Sequence, residues 1–175
     1  MILHKTLISL FLISLLTACG WHLRGQANLP ASLRILDVSM QAADFTTQKL
    51  LKQALQSNGV TISADASYRL HIVSDKASKR TLTVTSSAKA SSYELKQVLS
   101  YQLFNEEGLA LMVPTSITSY RTQEYDADAT IAKANEEQTL RIELKRDNVN
   151  KLLKRLAATQ VSELTPIQVE PQDAP

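Results

Sequence analysis

The chain has 175 residues, with 19 basic against 17 acidic side chains, a single cysteine and four glycines. A near-neutral balance argues against a nucleic-acid-binding protein, whose surface would be broadly basic. One cysteine excludes an internal disulfide, and at this length a single domain buries roughly 70% of its unfolded surface, so one packed core is expected.

The first segment reads as a secretion signal. His4 and Lys5 make a short basic start, and Leu7 to Leu16 is apolar except for Ser9 and Ser14. Crossing a bilayer takes about 20 apolar residues, so this run has the length of a signal core instead. Leu16-Thr17-Ala18-Cys19-Gly20 follows, with small residues ahead of the only thiol in the chain. Residues 1–18 are therefore expected to be removed. Cys19 is expected to begin the mature protein, carrying an S-diacylglyceryl thioether and an N-acyl group. Several acyl chains anchor a protein stably where one does so only marginally. No later run is long enough to span a membrane, so the expectation is a chain anchored by lipid, with no cofactor besides that lipid.

Residues 19–32 read as a tether, with Gly25 and Pro30 as breakers. Leu33 to Met40 is a strand, apolar and too short for a helix. Asp44 to Asn58 is a helix. Asp44, Thr46 or Thr47 caps its start, Leu50, Leu51, Ala54 and Leu55 form its apolar stripe, and Gly59 ends it with Val60 as the contact beyond. Tyr68, Leu70 and Ile72 alternate with polar residues, as do Leu82 and Val84; the alternation fits one long bent strand or two short ones. Tyr93, Leu95, Leu99, Tyr101 and Leu103 share one face of the next strand. Asn105-Glu106-Glu107-Gly108 turns the chain. Leu109, Leu111, Val113 and Ile117 continue on the return strand, where Pro114 predicts an edge or a bulge.

From Asp128 to Thr159 there is neither Gly nor Pro, and the composition favours helix. Leu140, Ile142 and Leu144 alternate as a strand would, but Val149, Leu152, Leu153 and Leu156 restore helical spacing. Residues 161–175 are rich in Pro, Gln and acid and read as a disordered tail. Residues 33–160 are thus expected to form an α/β (α+β) two-layer sandwich. It would hold a mixed, mostly antiparallel sheet of about four strands with two helices on one face, in the order β-α-β-β-β-α.

No catalytic constellation stands out. His22 lies in the tether and His71 in a strand, no thiol is left free by lipidation, and no Cys/His/carboxylate group has metal-ligand spacing. The chain is not expected to be an enzyme. Between Arg69 and Lys96 six basic residues (Arg69, Lys76, Lys79, Arg80, Lys89, Lys96) face two acidic ones, Asp75 and Glu94. Such a stretch is either a solvated strand whose lysines discourage edge pairing or an anion site using charge-assisted contacts. The Ser/Thr-rich loop from Thr85 to Ser92, with Lys89 inside it, is either a plain surface loop or a recognition loop.

Cys19-Gly20-Trp21-His22-Leu23-Arg24, Gln56-Ser57-Asn58-Gly59-Val60, Ser92-Tyr93-Glu94-Leu95 and Ile131-Ala132-Lys133-Ala134-Asn135-Glu136-Glu137-Gln138 occur in that order. In this the chain resembles the LptE family of lipopolysaccharide-assembly lipoproteins, over nearly its whole length except the tail. The resemblance implies an α/β sandwich at the outer membrane of a Gram-negative cell, lipid-anchored on the periplasmic side. It also implies one partner barrel, LptD, whose lumen such a protein plugs while helping to assemble it and to insert lipopolysaccharide into the outer leaflet. Gly20 after the lipidated cysteine fits export to that membrane. The resemblance further implies lipopolysaccharide contact through basic residues. Lys133 carries over to its position, whereas Ser86 and Ser87 stand where the family's loop has an arginine, leaving Lys89 and Arg80 as the bases there. The alternative is a free-standing envelope lipoprotein that binds an anionic or amphipathic ligand.

Overall fold

The computed structural model describes residues 28–84, 90–126, 129–161, 164 and 166–167. The signal segment, Cys19, Lys89 and most of 161–175 lie outside the described residues.

A 3-10 turn, Ala31–Leu33, opens the described chain, with Leu33 N–H bonded to the Pro30 carbonyl. It displaces the start of the first strand, β1, to Ile35–Ser39. Helix α1, Phe45–Ser57, begins at Asp44, whose carboxylate accepts from the Thr47 N–H. It ends as its sequence predicts. Gly59 has φ 77°, its N–H bonds the Gln56 carbonyl, and the Val60 N–H bonds that of Leu55. Leu51 and Leu55 are fully buried, with Leu50 and Ala54 partly so.

The sheet has five strands in the order β2-β1-β3-β4-β5, where about four were expected. The addition is β2, Thr61–Ile62, which runs parallel to β1 as soon as the chain leaves the glycine turn. Two residues are too few to leave a periodic signature. β1 also pairs in parallel with β3 over Asp37–Ser39, so the sheet is mixed. β3, Tyr68–Val84, is one long strand, with a register shift between Ile72 and Ser74. It pairs antiparallel with β4, Ala90–Asn105, which pairs antiparallel with β5, Thr115–Glu124.

Gly108 has φ 78° in the turn after β4. The return strand starts at Thr115, later than expected. Pro114 has no N–H to give a ladder. Before it, Asn105 takes over the chain, its side chain accepting from the Leu109 N–H and its backbone N–H bonding the Leu109 carbonyl. Leu111 and Ile117 are buried as read, but Leu109 and Val113 are 50% and 64% exposed. β5 is an edge strand, as Pro114 implied.

Helix α2, Thr130–Ala158, settles the conflict in its sequence. Its buried residues are Leu144, Asn148, Val149, Leu152, Leu153 and Leu156, a stripe of helical period, while Ile142 is 37% exposed. Both helices supply the same core, with Leu36 from β1, Leu70 and Ile72 from β3, Leu99, Tyr101 and Leu103 from β4 and Ile117 from β5. They therefore cover one face of the sheet. Leu29 and Val161 join this core from either side of 33–160. Among the described residues no helix is long and apolar enough to cross a membrane.

Candidate functional site

The features worth weighing lie where β3 and β4 run past the main core. From Lys76 to Val84 every residue of β3 is exposed. The register shift at Ile72/Ser74 decides which side chains face the helices. Before it, Leu70 and Ile72 do; after it, the odd positions do as far as Thr81, and Asp75 and Lys79 reach groups on the helical side.

Lys79 accordingly donates to Glu137 of α2 at 2.6 Å and lies 4.1 Å from the centre of the Tyr93 ring, a cation–π distance. Tyr93 meets Tyr125 edge to face. Glu137 also accepts from Arg141. Hydrogen bonding from Lys79 first, then from Arg141, holds the Glu137 carboxyl below its usual value despite partial burial.

Lys76, Arg80 and Lys96 occupy the helix-free face, because Lys76 pairs in register with Val98, Ser78 with Lys96, and Arg80 with Glu94. Arg80 bonds Glu94 through both Nε and a terminal nitrogen, and each raises the other's preference for its charged form. Lys96 sits opposite Tyr120 and 5.7 Å from its ring centre. Among the described residues Lys76 has no polar partner. The basic stretch therefore divides. Lys79 binds a helix, while Lys76, Arg80 and Lys96 stand together with Glu94 on the open face. Arg69, on that same face near the other end, pairs with Asp37.

Lys133 sits at the start of α2, where its carbonyl accepts from Gln123. Its ammonium bonds Glu136 at 2.9 Å, which raises its pKa, with Glu124 and Asp126 adding to the effect. Lys133 and Arg80 thus both have carboxylate partners, and they lie on opposite sides of the sheet. Lys89 lies outside the described residues.

A second set of residues carried no signal in the sequence. Gln97 and Asn148 are nearly fully buried where Leu would fit the pattern. Gln97 donates to Asp75, Asn148 donates to the Gln97 carbonyl, and Asp75 accepts from the Asp44 N–H. Lys145 bonds Asp44 from α2. Partial burial raises the Asp44 carboxyl, but hydrogen bonds from Lys145 and Thr47 leave it below its usual value. This polar band crosses the sheet–helix interface, with buried Leu95 and Leu144 beyond it, outside the main core cluster.

His71 bonds Ser39 through Nδ1 at 3.1 Å and meets Phe104 edge-on, beside a depression of about 380 Å³ lined also by Asp37, Arg69 and Gly108. Ser39–His71 and Asp37–Arg69 are ordinary cross-strand neighbours in the β1–β3 register. Among the described residues no group of three His, Cys, Asp or Glu gathers as a metal site would require.

Comparison with known proteins adds the family context. Residues 33–156 match the family model LptE, described as lipopolysaccharide-assembly. The chain is 23% identical to an LPS-assembly lipoprotein LptE of Pectobacterium atrosepticum, over 97% of this chain and 94% of the relative. It is 26% identical to the protein of that name from Photorhabdus laumondii, over 91% and 90% respectively. Two solved structures share the fold. A minor lipoprotein of Acinetobacter baumannii has a TM-score of 0.65 at 20% identity, covering 79% of this chain and 99% of its own. A lipoprotein B of Nitrosomonas europaea has a TM-score of 0.66 at 22% identity, covering 79% and 91%.

Proposed function

The chain belongs to the LptE family, and on that premise we propose that it takes part, without catalysis, in assembling lipopolysaccharide at the outer membrane. In this reading it is a lipoprotein anchored through Cys19, and it plugs the lumen of an LptD-type β-barrel while helping to assemble it and to pass lipopolysaccharide to the outer leaflet.

The observation that carries the reading is the division of the sheet. Both helices lie on one face; the other is open and carries Arg69, Lys76, Ser78, Arg80, Lys96, Tyr120 and Thr122. A large barrel has a polar interior, and a domain with a polar open sheet face suits such surroundings without burying unpaired apolar groups. Its extended β3–β4 hairpin gives it reach along the lumen.

For lipopolysaccharide, fixed positive charge must meet phosphate. Arg80, Lys133 and Lys89 remain the bases proposed from the family pattern. Arg80 and Lys133 must trade a carboxylate for a phosphate to serve. Lys76 and Lys96 face no such exchange, so we add them to the proposed contact surface, with Tyr120 as an amphipathic neighbour.

Affinity for purified lipopolysaccharide across a salt series tests this assignment. The double variant Lys76→Glu, Lys96→Glu should bind about tenfold more weakly, equivalent to ~1.4 kcal/mol, with wild-type binding falling as salt screens the charges. Unchanged affinity at every salt concentration would remove these two lysines from the proposal.

A further inference from the structure

The three accessible edges of the sheet are unlike one another. On one side the sheet ends in β2, only two residues long, Thr61–Ile62. On the other it ends in β5, where the carbonyls of Ser116, Thr118 and Tyr120 accept from Arg155, Lys151 and Arg121. These are alternate residues and so belong to one strand edge; cationic side chains close it. The third edge lies in the middle of the sheet order. β1 pairs with β3 only as far as His71, while β4 accompanies β3 on its other side to Val84. Among the described residues nothing pairs with or caps the backbone of β3 from Lys76 to Val84 on the side away from β4. At about 3.4 Å per residue this open edge is roughly 30 Å long.

We propose that the free edge of β3, Lys76–Val84, receives an extended segment of the partner protein as an added strand. The inference rests on the plug reading above. The segment is a loop or terminus, since the strands of a closed barrel have no edge to offer. Backbone hydrogen bonds supply affinity in this mode, and alternate side chains supply selectivity. The segment from 76 to 84 has no acidic residue; Lys79 and Arg80 are held by Glu137 and Glu94, Lys76 has no polar partner among the described residues, and the edge ends in the exposed apolar Leu82 and Val84. The complementary strand is therefore acidic opposite Lys76 and apolar at the far end. A second copy of this chain is a poor occupant. Antiparallel self-pairing centred on Ser78 sets Lys76 opposite Arg80 of the other copy, and like charges directly opposite destabilise a strand pair.

Amide hydrogen exchange on the lipidated protein tests this, read in peptides spanning 76–84, free and in the complex purified from its native envelope. Alternate amides of an edge strand lack a ladder partner, so about half of those in the segment exchange fast when the protein is free. In the complex these should slow by about tenfold or more, and Leu82→Lys, at the exposed apolar end of the edge, should restore at least part of the fast exchange while the complex still forms. Fast exchange persisting in an intact complex would overturn strand addition and leave the plug reading standing. Slowing in the free protein that grows with its concentration would assign the edge to a second copy instead, and overturn the proposal. Failure to recover any barrel complex would overturn both readings together.

Discussion

Glu137 ties the hairpin to the long helix through Lys79 while also holding Arg141. Its folded pKa lies below the usual 4.5. The sign of the consequence follows: the stabilisation is complete above that value and is lost as pH falls through the lower folded pKa. Glu137→Gln should cost about 0.5–1 kcal/mol at neutral pH, the upper range for a solvent-screened pair. Urea midpoints compared near neutrality and well below pH 4.5 check this: the gap between variant and wild type should close on acidification, and a pH-independent gap would deny Glu137 this role. Lys133→Gln removes only a pair of about 0.2–0.5 kcal/mol, so its melting temperature should hardly move. That pair joins Lys133 to Glu136 three residues on along one helix, so the local spacing alone brings the two together. The facing of Lys79 and Arg80 was not legible in the sequence. It depends on the register shift at Ile72/Ser74, which reverses the inward and outward sets as far as Thr81, where the register shifts again.

At the level of elements, helices and their ends were the most legible, since their signals are local. Asp44 caps α1 and Gly59 closes it as read. A Cβ at Gly59 would meet no neighbouring atom, so Gly59→Ala should cost about 1–2 kcal/mol from the left-handed backbone alone. Leu51 and Leu99 are essentially inaccessible, and replacing either with Ala should cost about 2–5 kcal/mol; denaturant unfolding that shows much less than 1 kcal/mol at both would mean that these faces are not packed. β2 and the late start of β5 escaped the sequence reading because pairing across the sheet decides them. The buried polar band escaped it for a different reason. Gln97 and Asn148 occupy positions where pattern asks for an apolar residue, and their partners are distant in sequence. Asn148→Ala should cost about 0.5–1.5 kcal/mol by removing a buried hydrogen bond to the Gln97 carbonyl, which keeps its place in the ladder, with the loss appearing in the same unfolding experiment.

At the scale of the molecule, two helices on one face leave the opposite face of a long sheet bare, and the hairpin of β3 and β4 projects it past the core. An isolated domain gains little stability from such a projection, whose residues from 76 to 84 are all exposed; a domain fitted inside another protein has surface to match. The order of elements already pointed to helices on one face, whereas the length of the bare strand edge came only from the register. The most direct measurement is recovery of the lipidated protein from its native envelope in mild detergent, with the stoichiometry of whatever accompanies it. An equimolar complex with one integral outer-membrane β-barrel that survives purification is the expected result. Recovery of the intact lipoprotein only as a free monomer would contradict it.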